Sequence, residues 1–236
     1  MNIGILACDK VADIFSPEHG EYPDMFIALL GRADPTLTFT TYDVIDDEFP
    51  PNIDACDAYL ITGSHHGVND ELPWIAKLKA FIRALHIKNK KLIGICFGHQ
   101  LIAKALGGQV GKSAHGWTVG VVKNKTTQNN TWMGRTNQAF NLIASHQDQI
   151  ITPPPETEIL ASNATCPFYM IKIKNSVSLQ GHPEFSKAYL EALMTHRKDS
   201  LGETCYKQGL KSLELNKDDA LVARWIINFL QEKSCT

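Results

Sequence analysis

The N-terminal part of the chain alternates short apolar strands with amphipathic helices, and this alternation constrains the fold more than any other sequence feature. Strand patterns lie at residues 2–8, 37–44, 57–62 and 91–95, and helix patterns at 22–30, 72–86 and 99–106. Strands that alternate with helices pair in parallel, because each helix carries the chain back to the start of the next strand. The order therefore predicts an α/β fold with three αβα layers around a mostly parallel central sheet.

The middle of the chain has a different pattern. Residues 117–180 hold several short strand-like runs separated by Asn, Pro and Ser, and from Ser186 onward the pattern is helical again. We interpret the middle as a β-rich extension of the same sheet. Because no linker, repeat or low-complexity segment interrupts the chain, we predict a single domain over residues 1–236.

Composition and charge exclude several classes of protein. The 236 residues are 44% apolar and 20% charged, and 23 basic against 25 acidic residues give a net charge of −2. This balance offers no attraction to nucleic acid or to an anionic membrane surface. The N-terminus lacks a signal-peptide pattern, and no run approaches the ~20 apolar residues of a membrane helix. The six scattered cysteines are then most simply reduced thiols, and we expect a cytoplasmic protein.

The segment Gly94-Ile95-Cys96-Phe97-Gly98 joins a buried strand directly to a helix. In such a turn the flanking glycines let backbones approach closely, and the nucleophile between them adopts a strained conformation at the carboxyl edge of the sheet. The helix N-terminus favours the thiolate there. The pattern thus indicates that Cys96 is a nucleophile rather than a small core residue, which is the usual role of a free cysteine.

A cysteine nucleophile needs a base, and the segment Gln180-Gly181-His182-Pro183-Glu184 supplies a candidate. His182 and Glu184 are two positions apart on an extended segment, so both side chains can face one side. In this arrangement His182 accepts the thiol proton, and Glu184 orients and stabilises the imidazolium. The pair is a weak signal alone, and it gains weight only beside the Cys96 turn.

The runs GICFGHQ and GHPEF, with ITGSHHGV and ASHQDQI, resemble the class I (triad) glutamine amidotransferases over most of the chain. The sequence is most similar to the free-standing branch related to the glutaminase part of GMP synthase and to the γ-glutamyl peptidases. The resemblance implies a flavodoxin-like fold. It also implies hydrolysis of a γ-glutamyl amide by a Cys96–His182–Glu184 triad through a glutamyl thioester.

The same resemblance implies roles for further residues. Gly63 and Phe97 become the oxyanion-hole donors, and Gln100 lies beside the glutamyl part of the substrate. Ser145 and His146 either bind the substrate or form a plain turn. Where the family usually has a tight glycine-proline loop, this chain has Gly63-Ser64-His65-His66-Gly67, so Ser64 is an alternative donor.

Several functional alternatives stay open at this point. An amidotransferase would pass ammonia to a separate synthetase subunit, because the chain shows no nucleotide-binding loop; a γ-glutamyl peptidase or glutaminase would act alone. Less favoured are an α/β-hydrolase that uses Gly-x-Cys-x-Gly on esters or lactones, and a catalytically silent regulatory subunit. We expect no cofactor and no metal: His65 and His66 are adjacent, and no third ligand is evident.

Overall fold

The computed structural model describes residues 1–128, 130–134 and 138–232. The strands are β1 (Asn2–Ala7), β2 (Thr38–Asp43), β3 (Ala58–Ile61), β4 (Lys91–Ile95), β5 (Gln109–Lys112), β6 (Thr118–Thr126), β7 (Ala139–His146), β8 (Asp148–Thr152), β9 (Glu158–Ser162), β10 (Met170–Ile173) and β11 (Ser176–Leu179). The helices are α1 (Ser16–His19), α2 (Tyr22–Ala33), α3 (Pro73–Ile87), α4 (Phe97–Ala105), α5 (Lys187–His196), α6 (Lys198–Leu201), α7 (Glu203–Ser212) and α8 (Asp219–Gln231).

A nine-stranded sheet in the order β2-β1-β3-β4-β11-β10-β9-β6-β7 forms the centre of the molecule. The first five strands pair in parallel, and the remaining four continue the sheet with antiparallel pairs. The parallel half places the carboxyl ends of β1, β3, β4 and β11 at one edge. The predicted α/β class, with its parallel sheet and β-rich extension, is confirmed.

The inner parallel strands β1, β3, β4 and β11 are buried on both faces, and successive side chains enter different cores. In β3, Ala58 and Leu60 pack in the core that holds α2 and α8, whereas Tyr59 and Ile61 pack in the core of α3 and α4. This alternation follows from the two-residue period of a strand. Each fully buried large apolar side chain contributes ~1.5–3 kcal/mol, so the two cores hold β4, the strand that leads into Cys96, firmly in the middle.

A third cluster covers the antiparallel half of the sheet. It joins α5 and α7 to β6 and β7 through Val121, Ile143, Tyr189 and Leu193. Among the described residues, no helix has the length and apolar character needed to cross a bilayer.

Two details differ from the sequence-based expectation. The helix pattern at residues 22–30 predicts an end at Gly31, but α2 continues through Gly31 to Ala33. The strands β5, β8 and β9 were not predicted. β5 and β8 form a separate two-stranded sheet. Only Gln147 separates β7 from β8, so the patterns of these two strands run together in the sequence.

Replacing Gly98 with Ala should destabilise the protein, while the matched change Gly31→Ala should not. A Cβ on Gly98 would lie 2.6 Å from the Ile61 carbonyl oxygen, whereas one on Gly31 meets nothing within 4 Å. We expect Gly98→Ala to lower the free energy of unfolding by ~1–3 kcal/mol and Gly31→Ala to raise it by up to ~1 kcal/mol. Chemical denaturation of both variants measures the two effects, and equal stability of Gly98→Ala and the wild type would contradict the expectation.

Candidate active site

Cys96 lies at the sharp turn between β4 and α4, with φ 50° and ψ −98°. A residue other than glycine at positive φ is strained by ~1–3 kcal/mol and persists only where its surroundings fix it. Here the Cys96 N–H donates to the Leu179 carbonyl at 2.9 Å, and the Cys96 carbonyl accepts from the Gln100 N–H at 3.0 Å. The turn is tight enough that a Cβ on Gly94 would lie 2.7 Å from the Gly98 carbonyl oxygen.

His182 and Glu184 follow β11, the neighbour of β4 in the sheet. Their side chains are buried, and 2.7 Å separates His182 Nδ1 from Glu184 Oε1. Phe185 stacks on the imidazole with ring centroids 4.0 Å apart and an interplanar angle of 11°. The backbone N–H of His182 donates to the Ile143 carbonyl at 2.8 Å. The imidazole is therefore fixed by its backbone, a carboxylate and an aromatic ring.

Cys96 and His182 line the same recess, and the Cys96 sulfur is close enough to the imidazole to influence its charge. Burial by itself disfavours the imidazolium, but the Glu184 carboxylate and the Cys96 sulfur outweigh burial and raise the pKa of His182 to about 10. The Gln180 side-chain amide also donates to the Cys96 sulfur, at 3.5 Å. A proton held on His182 and an amide donor at the sulfur thus both lie beside Cys96.

Replacing Glu184 with Gln should lower the pKa of His182, because the change removes the negative charge and leaves the burial. An opposite charge within ~4–6 Å shifts a pKa by ~1–3 units, so we expect the midpoint to fall by more than ~1 unit. NMR titration of ¹⁵N-labelled histidines measures the midpoint in both proteins. The unchanged resonance of His86, on α3 and apart from this cluster, serves as the control, and an equal His182 midpoint in both proteins would contradict the expectation.

Gly63 and Phe97, the expected oxyanion donors, flank the sulfur from two elements. A Cβ on Gly63 would lie 3.0 Å from His182 Cε1 and 3.8 Å from Cys96 Cβ, so this backbone adjoins both side chains. Phe97 is the first residue of α4, and the first N–H groups of a helix have no carbonyl within the helix to bond. Ser64, the alternative donor, lines the same recess.

The three expected substrate residues lie on the wall of the cleft that contains Cys96. Gln100 is buried, and its amide nitrogen donates to the Asp148 carbonyl at 2.8 Å and to Gln180 Oε1 at 3.1 Å. His146 Nδ1 is 3.1 Å from the same Asp148 carbonyl, and burial lowers the pKa of His146 to about 4. Ser145 is half-buried. Gln100 and His146 therefore brace the β7–β8 corner as well as facing the cleft.

Besides the expected site residues, several others line the recess at Cys96, and Asp9 supports the neighbouring loop. Tyr22, Phe185 and Arg197 line the recess that holds Cys96 and His182. Asp9 accepts from the His65 N–H at 2.7 Å and lies 2.9 Å from His65 Nδ1, so it anchors the loop after β3. The position of Asp9 just after β1, at the carboxyl edge of the sheet, was a usable signal.

The cleft has a volume of about 460 Å³, within the range of small-molecule sites. His65, Lys112, Trp117 and Arg197 lie around its outer part. Within the described part of the chain, no group of three or more His, Cys, Asp and Glu side chains is placed to hold a metal ion. The arrangement suits nucleophilic attack by a thiolate on a small molecule, with an adjacent proton carrier.

Comparison with known proteins agrees with this chemistry. Residues 30–197 match the family model of class-I glutamine amidotransferases. The chain is 33% identical over 180 residues to γ-glutamyl peptidase 4 of Arabidopsis thaliana, which covers 73% of this chain and 71% of the relative. It is 30% identical over 130 residues to one subunit of the glutamine-hydrolysing GMP synthase of Saccharolobus solfataricus, covering 54% of this chain and 67% of that protein. The crystal structure of a glutamine amidotransferase from Thermotoga maritima superposes with a TM-score of 0.72 at 18% identity, over 97% of this chain and 96% of that one.

Proposed function

The chain belongs to the class-I glutamine amidotransferase family, and from that premise we propose that it hydrolyses the γ-amide bond of a glutamyl compound through a thioester on Cys96. The observation that carries the proposal is the strained turn that presents Cys96 to the buried His182–Glu184 pair. Nucleophile, proton carrier and orienting carboxylate are the three groups that such a reaction requires.

In the first half of the reaction, the Cys96 thiolate attacks the γ-carbonyl carbon of the substrate. The carbonyl oxygen becomes an oxyanion, and the N–H groups of Phe97 and of Gly63 or Ser64 stabilise it. His182 then gives its proton to the amide nitrogen, so that the C–N bond breaks and ammonia or an amine leaves. The product on the protein is a γ-glutamyl thioester.

In the second half, water replaces the departed amine. His182, now neutral, takes a proton from the water as its oxygen attacks the thioester carbon, and the same backbone donors stabilise the second oxyanion. The C–S bond breaks, glutamate leaves and the Cys96–His182 pair regains its starting charges. Glu184 keeps the imidazole in place throughout and does not itself take up the proton.

Two versions of this function differ only in the leaving group. Ammonia from glutamine would serve a separate synthetase subunit, and the similarity to a GMP synthase component supports this version. An amine from a γ-glutamyl peptide needs no partner, and the similarity to a γ-glutamyl peptidase supports this version. We propose the stand-alone hydrolysis of a γ-glutamyl peptide as the main activity, because the cleft extends well beyond the recess at Cys96.

A glutamine analogue with a diazoketone in place of the amide tests the proposal, because a thiolate displaces nitrogen from it and forms a stable adduct. We expect one adduct per chain, located on the peptide that contains Cys96 and suppressed by an excess of substrate. Cys205, a free and half-buried thiol, is the internal comparison. A folded protein that takes up no label, or labels Cys205 as fast as Cys96, would contradict the proposal.

A further inference from the structure

We propose that Arg197 binds a carboxylate on the leaving amine, so that the preferred substrate is a γ-glutamyl amino acid or peptide with a free carboxylate close to the scissile bond. This inference rests on the proposed hydrolysis and names the substrate class for the same site. The residue lies outside the triad and outside the two motifs that identify the family.

Arg197 is held at the junction of α5 and α6. Its N–H donates to the Leu193 carbonyl at 3.0 Å, and its carbonyl accepts from the Leu201 N–H at 3.0 Å. The half-buried side chain lines both the recess that contains Cys96 and His182 and the larger outer cleft. A backbone fixed in this way keeps Arg197 at the wall of the site.

The guanidinium has no partner in the described part of the chain: Arg197 takes part in none of its ion pairs or side-chain hydrogen bonds. The nearby carboxylates are already engaged, since Asp9 accepts from His65 and Glu184 pairs with His182. The hydroxyls of buried Tyr22 and Tyr189 are 2.9 Å apart, and against burial, which raises the pKa of both, the positive charge of Arg197 acts to lower it. A half-buried cation without a counter-ion in a substrate cleft is suited to an anionic ligand.

The location of Arg197 assigns that anion to the leaving side of the substrate. His182 gives its proton to the departing nitrogen, and Arg197 shares the recess with His182. The α-carbon of the glutamyl part carries an ammonium and a carboxylate, and two other residues that line the cleft, Asp148 and Lys112 on paired strands, offer the opposite charges. The glutamyl part therefore has its own partners, and Arg197 remains for a second carboxylate.

The guanidinium also suits a leaving amine that carries a carboxylate better than one that does not. Its planar fork donates two parallel hydrogen bonds to the two oxygens of a carboxylate. Ammonia, the leaving group from glutamine, has no atom that reaches beyond the recess. An amino acid as leaving group places its carboxylate two bonds from the nitrogen that His182 protonates, which brings it toward the wall where Arg197 lies.

Two substrates that differ only in charge test the inference: γ-glutamylglycine and γ-glutamylglycinamide. The measured quantity is the ratio of kcat/KM for the acid to kcat/KM for the amide. We expect Arg197→Gln to lower this ratio by ~10- to 100-fold, the range for a hydrogen bond between charged groups, and Arg197→Lys to lower it less. Arg224→Gln, on α8 and away from the cleft, is the matched control and should leave the ratio unchanged.

An unchanged ratio in Arg197→Gln, whether or not the rates on both substrates fall together, would overturn the inference while leaving the hydrolysis intact. An equal loss would assign Arg197 to the glutamyl part or to the structure. Binding provides a readout without turnover: calorimetry on Cys96→Ser should show tighter binding of the acid than of the amide, and Arg197→Gln in that background should abolish the difference. Arg197-dependent binding without turnover would refute the proposed function alone, and a protein that neither binds nor cleaves γ-glutamylglycine refutes both.

Discussion

Replacing Cys96 with Ser should lower the rate of glutamate release by at least ~10⁴-fold. A serine hydroxyl is close in size to the thiol, but it is not ionised at neutral pH and is intrinsically a weaker nucleophile, so it cannot replace the sulfur at this site. Nucleophile and proton carrier act as a unit, so the loss of either removes nearly the whole effect of the pair. Steady-state assays with γ-glutamylglycine measure the loss.

The matched control for this substitution is Cys205→Ser. Cys205 is also a free, partly buried thiol, but it lies on α7 and contacts the Trp117 carbonyl rather than the reacting groups. We expect Cys205→Ser to retain the wild-type rate. Thermal unfolding of both variants confirms that they fold, and substantial activity in folded Cys96→Ser would mean that another group carries the reaction.

Replacing Glu184 with Gln should have the second largest effect, a fall in kcat of ~10³–10⁴-fold. The Gln side chain matches Glu in shape, so the buried packing beside His182 is kept while the charge that stabilises the imidazolium is lost. In hydrolases with a nucleophile, a histidine and a carboxylate, loss of that charge causes a fall of this size. Most of the loss should appear in kcat rather than KM, because Glu184 lies behind His182.

Glu191→Gln is the control for charge, since Glu191 is exposed on neighbouring α5 and should be replaced without effect. Glu184→Asp adds a second comparison, because it restores the charge at a longer distance from His182 Nδ1. We expect its activity to lie between those of the wild type and Glu184→Gln. Full activity in Glu184→Gln would remove Glu184 from the mechanism and favour the α/β-hydrolase alternative.

The fold was predictable where each strand and helix has its own period and clear ends. β4 was predicted with its observed bounds, Lys91–Ile95, because it is a continuous apolar run between a turn and the Cys96 segment. β5 was missed because Gln109–Lys112 is short, contains a glycine and pairs only with β8. Its strand conformation depends on that pairing, which comes from a distant part of the chain.

The same distinction applies to the site. The structure brings the three predicted triad residues to one recess region, because Cys96 follows β4, His182 and Glu184 follow β11, and these strands are neighbours. Arg197 was not identified because it lies at a helix junction with no motif around it, and only the packing of α5 against the sheet brings it to the cleft. Its role remains a proposal.

The most direct measurement is to incubate the purified protein with γ-glutamylglycine and follow both products by proton NMR. We expect glutamate and glycine to appear in equal amounts with the wild type and with Cys205→Ser, and neither to appear with Cys96→Ser. Substrate that stays intact with the folded wild type, or products that form equally with Cys96→Ser, would contradict hydrolysis through a Cys96 thioester.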